Sequence, residues 1–341
     1  MTIVGEESEP VWSQHEAGAR PVPPGLSFWR LYFVEMRPYL MFLSAMTGVA
    51  GMAFAPGVSL PDLLALTALF FLAYGFGQAL TDCFQTDTDA LSAPYRPLAQ
   101  GRLRQRDVLL VSLAGLVAGG VVLAAYSPPN LALVAGGVAG LVTYTWFKRR
   151  WWGGPLYNGW IVVDLCLIGY VSGLGAIGGT FNWTPELIAT LFAVLFGYAN
   201  FVLAGYFKDI SADRASGYNT LPVVFGLRVS AIVSDALAAL ALLSSGLALV
   251  LINDLDADAG LLLSAMLITG AAGWTALGQL RLHKVTSESQ AHRAIAPVVH
   301  AYILALCAIA AALQPEWVAL LIPLYAGFAV ALAHRPMKEQ I

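Results

Sequence analysis

Residues 64–89 read LALTALFFLAYGFGQALTDCFQTDTD. From Leu64 to Leu80 there is no charged side chain, and Gln78 is the most polar residue. With Leu63 and its neighbours the run reaches the length that crosses a bilayer, about 20 residues for roughly 30 Å of hydrocarbon. It then ends in Asp82, Gln85, Asp87 and Asp89. Carboxylates beside hydrocarbon are costly and tend to mark function. Their meaning depends on which membrane face they occupy and what else reaches that face.

Working outward, nine further apolar stretches of comparable length appear. The ten expected spans are roughly 38–56, 61–81, 107–126, 130–147, 158–179, 186–206, 228–252, 260–281, 294–313 and 316–334. Only 11% of the 341 residues are charged and 58% are hydrophobic, with a mean hydropathy of +0.70. Soluble domains carry about a quarter charged residues, so a cytosolic enzyme is excluded. The net charge of −3 says little by itself; the placement of the charges matters more, and no nucleic-acid partner is expected. Cys83, Cys166 and Cys307 are odd in number, widely spaced and set in or beside apolar runs, which suits packing rather than disulfides or zinc. Residues 1–27 hold Glu6, Glu7, Glu9 and several prolines with no basic-then-apolar start. They are expected to form a disordered cytoplasmic tail rather than a secretory signal, leaving 28–341 as one membrane domain.

Cationic residues alternate between connections. They fall after span two (Arg96, Arg102, Arg104, Arg106), four (Lys148, Arg149, Arg150), six (Lys208, Arg214) and eight (Arg281, Lys284, Arg293), and again at the C-terminus. The intervening connections APGVSLPD, SPPN, GTFNWTPE, NDLDAD and QPE contain none. The positive-inside rule then puts both termini in the cytoplasm. The expected architecture is an all-α polytopic bundle of nine to ten transmembrane helices, in a bacterial-type inner membrane.

On this count both acidic stretches lie at the cytoplasmic face. If the second helix continues, Asp82, Gln85 and Asp89 share a face at i, i+3 and i+7, and Asp87 falls off it. In GYFKDISADRASGYNTLP, which ends span six, Asp209 and Asp213 share a face at i, i+4. Two sets of hard oxygen donors at one depth suit Mg²⁺, which takes one or two carboxylates and completes its shell with water and phosphate. Arg37, Arg96, Arg102, Lys148 and Lys208 stand near in sequence, and acid, metal and base around one pocket is what a diphosphate requires.

The stretch TDCFQTDTDALSAPYRPLAQGRL resembles the first signature of the UbiA-type membrane prenyltransferases, N-D-x-x-D-x-x-x-D followed by R-P-L/I-x-x-G-R. KDISADRASGYNTLPVVFG resembles the second, with the D-R-x-x-G-x-x-T/S-L-P tail of chlorophyll-synthase-like members. YTWFKRRWWGGPLYNG is similar to the Y-x-x-x-K-R stretch after the fourth helix, and MRPY to the Arg-Pro of the first. The four landmarks occur in order over residues 35–313. The resemblance implies a bundle with a lipid-facing pocket and Mg²⁺ held between the two motifs by Asp82, Gln85, Asp89, Asp209 and Asp213. It implies that the prenyl diphosphate meets Arg96, Lys148 and Arg37, and Lys208, beside Asp209, is a further candidate. Two positions depart from the family: its leading Asn is Thr81, and its middle Asp is Gln85, which brings an oxygen but no charge. Gln78, one turn earlier, stands where it could replace the missing Asn, and Asp87 where it could restore the charge if the helix unwinds.

The implied reaction moves an isoprenoid from a diphosphate to an aromatic or other nucleophilic, lipophilic acceptor. Aromatic faces stabilise an allylic cation; the candidates are Tyr74, Phe76, Tyr144, Trp146, Trp160, Tyr170, Tyr198, Phe201 and Tyr206, of which two or three are expected to line the pocket. Asn158 and Asp164 are candidate acceptor contacts, and Asn200 reads rather as interhelical glue. Asp235, His283 and His300 fit no motif and read as structural. A terpene cyclase on the same scaffold is the alternative. A transporter ranks last, because its charges would gather near the midplane.

Overall fold

The computed structural model describes residues 25–253 and 259–335. Residues 1–24, where the disordered tail is expected, lie outside these, as do the NDLDAD acids from 254 onward and residues 336–341. The helices are α1 (Leu26–Glu35), α2 (Met41–Met52), α3 (Leu60–Asp82), α4 (Thr86–Ser92), α5 (Gln105–Tyr126), α6 (Asn130–Arg150), α7 (Gly154–Ile177), α8 (Pro185–Tyr206), α9 (Ile210–Ala215), α10 (Leu221–Asn253), α11 (Ala259–Leu282), α12 (His292–Leu313) and α13 (Val318–Ala333). Among the described residues nine helices are long and apolar enough to cross a membrane: α3, α5 to α8 and α10 to α13, the last extended by the turn at 315–317.

The first expected span is built on a shorter helix. Residues 38–56 yield the 12-residue α2, about 18 Å long. Turns at both ends carry the chain from Arg37, paired with Asp82 at the end of α3, to Ala53, whose carbonyl accepts from Gln314 at the far end of α12. The start of α2 is set by Arg37, whose φ of 53° is left-handed, and by Pro38, which cannot donate to a helix. α2 is the bundle's axis, with 11 of its 12 residues buried. It lies against α3, α7 and α12. Small residues let it approach α7 to backbone contact: a Cβ at Gly51 would overlap the Cys166 carbonyl, and one at Gly169 would overlap that of Gly48. Such small-residue seams replace the hydrophobic drive that lipid does not supply.

Polar side chains tie the bundle internally. Thr47 and Tyr302 hydroxyls meet at 2.6 Å between α2 and α12. The Ser234 hydroxyl lies 2.5 Å from Asn200 Oδ1 and 3.0 Å from Gln279 Oε1, so Asn200 is glue between α8, α10 and α11. α13 is anchored by the Tyr325 hydroxyl, which meets His300 of α12 at 3.0 Å, and His300 in turn stacks on Trp274 of α11 with centroids 4.5 Å apart. Asp235 and His283, without a motif, pair at 2.7 Å.

The acidic stretches do not lie on continuous helices. α3 stops at Asp82, a tight turn covers Cys83–Gln85, and α4 starts at Thr86. Likewise α8 stops at Tyr206 and the six-residue α9 follows Asp209. α4 and α9 lie side by side at one end of the bundle. The helix does unwind as far as Asp87 requires, yet Asp87 turns outward to an exposed position and pairs with the half-buried Arg149 at 2.5 Å.

Candidate active site

α4 and the turn leading into α9 border a polar chamber of about 130 Å³. Arg37, Gln78, Asp82, Gln85, Asp89, Arg96, Tyr144, Lys148, Asn158, Lys208 and Asp209 all line it. Eleven of the thirteen site residues expected from sequence are thus brought together from five parts of the chain. The strained backbone at Arg37, worth about 1–3 kcal/mol, turns its guanidinium inward, where Nη2 donates to Asp82 Oδ1 and Oδ2 at 2.8 and 2.7 Å. Gln78 Nε2 also donates to Asp82, at 2.8 Å. Arg96 Nη1 sits 2.7 Å from Asp89 and 3.7 Å from Asp82. Lys148 donates to Gln85 Oε1 at 3.4 Å and lies over the rings of Tyr206 and Tyr218, 5.0 and 4.8 Å from their centroids.

Asp213 is placed otherwise than expected. It is fully buried and does not line the chamber; its Oδ1 pairs with Lys148 Nζ at 3.1 Å and its Oδ2 accepts from Thr220 at 3.1 Å. It therefore stands behind Lys148, between that ammonium and the backbone of α9. Asp164 lies apart as well, in a second, apolar chamber of about 370 Å³ walled by α3, α5, α6 and α7. There its carboxylate faces Gly137, where a Cβ would come within 3.1 Å of Oδ2. Tyr74, Gln78, Thr81, Asn158 and Tyr198 line both chambers, so the two share a wall.

Six of the nine candidate aromatics line one chamber or the other: Tyr74, Phe76, Tyr144, Tyr198, Phe201 and Tyr206. That is more than the two or three expected. Trp146 and Trp160 turn to the outer surface, and Tyr170 packs on Phe54 and Phe181 towards the opposite end.

Burial tunes the charges outside the spans. It pushes the Asp89 carboxyl up to about 6, against the pull of Arg96. It pushes the Lys208 ammonium down to about 8, although Asp209 draws it the other way. Sequence reading missed Glu35, which is 1% exposed and accepts the Leu98 N–H at 3.2 Å. Glu35 fixes the backbone two residues beyond Arg96, and burial followed by the Asp82 charge raises its carboxyl from 4.5 to about 7. An acid raised in the folded state holds its proton longer there than in the unfolded chain. Stability is therefore full below about pH 4.5 and declines as pH rises to about 7, by up to roughly 3 kcal/mol. Glu35→Gln is expected to flatten the fall in melting temperature between pH 5 and 7; an unchanged slope would show that Glu35 does not titrate in that window.

The chamber is lined by the carboxylates of Asp82, Asp89 and Asp209 and the amides of Gln78, Gln85 and Asn158, with no sulfur or imidazole. This is the donor chemistry of Mg²⁺. Among the described residues no three His, Cys, Asp or Glu side chains converge closely enough to form a metal cage by themselves. A donor set that is completed by phosphate and water fits that arrangement.

The sequence profile of the UbiA prenyltransferase family matches residues 42–297. The chain is 32% identical over 248 residues to digeranylgeranylglyceryl phosphate synthase of Thermococcus kodakarensis, covering 69% of this chain and 86% of that protein. It is 33% identical over 200 residues to the enzyme of the same name from Natronomonas pharaonis, covering 57% and 68%. Its fold is similar to that of a UbiA homolog from Archaeoglobus fulgidus bound to DMAPP and Mg²⁺, with a TM-score of 0.60 and 18% identity over 83% of this chain and 99% of that one. Three-quarters of the sequence, the helical architecture and the gathered motifs agree: this multi-pass membrane protein belongs to the UbiA prenyltransferase family.

Proposed function

We propose that the polar chamber binds the diphosphate of a prenyl diphosphate together with Mg²⁺, and that the adjoining apolar chamber receives its isoprenoid chain. The observation that carries this reading is the shared wall: residues of both Asp stretches line one chamber with four cations, and Tyr74, Gln78 and Tyr198 open directly on the other. Asp82, Gln85, Asp89 and Asp209 would hold Mg²⁺. When bound, the metal supplies Lewis-acid neutralisation of the departing diphosphate.

The chain's own residues do the rest. Arg37 and Arg96, now held by Asp82 and Asp89, can turn bidentate donors to phosphate oxygens. Lys148 and Lys208 add two further charges at the same place. As the C1–O bond of the donor breaks, its electron pair leaves with the diphosphate. The nucleophilic carbon or oxygen of a lipophilic acceptor bonds to C1 and then loses its proton. The rings of Tyr74, Tyr144, Tyr198 and Tyr206 surround the interval between the two events with polarisable faces, and the apolar chamber keeps out water that would quench the allylic cation. Asp164, beside the tail rather than the diphosphate, serves as a contact for a polar group of the acceptor. The chamber opens at the end where Lys and Arg collect, which supports a cytoplasmic face for the site.

The test is diphosphate release by purified protein given geranyl, farnesyl or geranylgeranyl diphosphate. With MgCl₂ and a pool of aromatic and other lipophilic nucleophiles, release with formation of a prenylated product is expected. Excess EDTA should reduce it by at least about 10²-fold, the scale of losing one preorganised charge stabiliser. Release that persists in EDTA would remove the metal from the reading. Cyclised hydrocarbon formed without an acceptor would replace transfer with cyclisation.

A further inference from the structure

Asp209 occupies the N-cap position of α9, where an Asp side chain ordinarily accepts the N–H of the second or third helical residue. Here it makes no such bond, and its carboxylate lines the polar chamber instead. The bond is made by a different residue. Glu288, 77 positions on in the connection between α11 and α12, accepts the Ser211 N–H at 2.5 Å through Oε1 and the Ser211 hydroxyl at 2.6 Å through Oε2. Its own connection is ordered for the task. Residues 288–290 form a 3-10 turn, and the Gln290 side chain accepts from both the N–H and the hydroxyl of Thr286. The far end of α9 is held too, by Arg149 Nη1 donating to the Ser216 carbonyl at 3.4 Å.

We infer that Glu288 is a positioning residue for the proposed site: it caps α9 from outside so that the Asp209 carboxylate stays in the chamber. Remove Glu288, and Asp209 is the side chain best placed to take the vacated N–H. The helix survives, and the chamber loses an oxygen donor. The effect therefore falls on metal-dependent binding rather than on folding. This inference rests on the chamber being the Mg²⁺–diphosphate site.

The experiment is a double-mutant cycle read by binding, not turnover. Farnesyl thiodiphosphate, which resists ionisation, is titrated against the full-length protein at stepped MgCl₂ concentrations, and melting temperatures are recorded alongside. Glu288→Ala is expected to raise the half-saturating Mg²⁺ about fivefold, the factor that one helix cap carries, with little change in melting temperature. Glu288→Gln, which keeps an acceptor oxygen, should recover most of that loss. In an Asp209→Ala background Glu288→Ala should add nothing, because the group it positions is gone. Equal losses with and without Asp209, or a half-saturating Mg²⁺ within twofold of the unaltered protein, would overturn the inference. Should Glu288→Ala fail to fold, Ser211→Ala removes one of the two bonds and runs through the same cycle. Failure of the unaltered protein to bind the analogue at any Mg²⁺ concentration would instead overturn the proposed site, and this inference with it.

Discussion

Asp82→Asn is expected to lower kcat/KM for prenyl transfer by about 10³-fold, the upper scale for removing one preorganised electrostatic group from a water-poor site. Asp82 is 2% exposed and is held by Arg37, by Gln78 and, more distantly, by Arg96. Asn keeps the shape and one acceptor oxygen, so the chamber does not collapse. What goes is the charge that would face the metal and hold the two guanidiniums in register. Stability should fall by about 2 kcal/mol, the scale of one charge-assisted hydrogen bond, and the protein should still purify as a folded species. Asp107→Asn is the matched control, since its partner Arg104 is largely exposed and such pairs contribute about 0–1 kcal/mol. Activity of Asp82→Asn within tenfold of the unaltered protein would remove Asp82 from the reaction.

The membrane architecture was legible because its signal is long. A run of 20 apolar residues, repeated and separated by connections that alternate in Lys and Arg, survives any local irregularity. The site was legible in its membership but not in its geometry. Asp82, Gln85 and Asp89 do meet in one chamber, though not as one helical face: the turn at Cys83–Gln85 brings α4 back over the cavity, where Arg96 grips Asp89. Periodicity describes a helix that continues and says nothing about one that stops. The same limit hid the shortness of α2, since apolar composition does not mark where a helix gives way to turns. Glu35 and Glu288 escaped for another reason. Each acts through a contact across the chain, 63 and 77 residues away, and nothing local marks an acid that serves a distant backbone N–H. Asp213 was recognised but given the wrong neighbours, because the i, i+4 spacing from Asp209 does not reveal that Lys148 lies between it and the chamber.

That arrangement leads to the second large effect. Lys148 and Asp213 are 5% and 0% exposed, and a buried pair behaves asymmetrically: breaking it is expensive, whereas replacing both partners is not. Asp213→Ala leaves a buried ammonium with its carboxylate removed and is expected to cost about 3–5 kcal/mol, read as a large drop in melting temperature in detergent. The double variant Lys148→Met/Asp213→Leu exchanges the pair for apolar side chains of similar length and should regain most of that loss. Activity should not return with it. Lys148 lines the chamber, reaches Gln85 and lies against Tyr206 and Tyr218, so the double variant removes a charge from the diphosphate site while mending the fold. A stable and inactive double variant therefore assigns Asp213 to holding Lys148 and Lys148 to the substrate. A stable and active one would make the pair structural. Asp213→Ala with an unchanged melting temperature would mean that Asp213 is hydrated and free to turn into the chamber as a ligand in its own right.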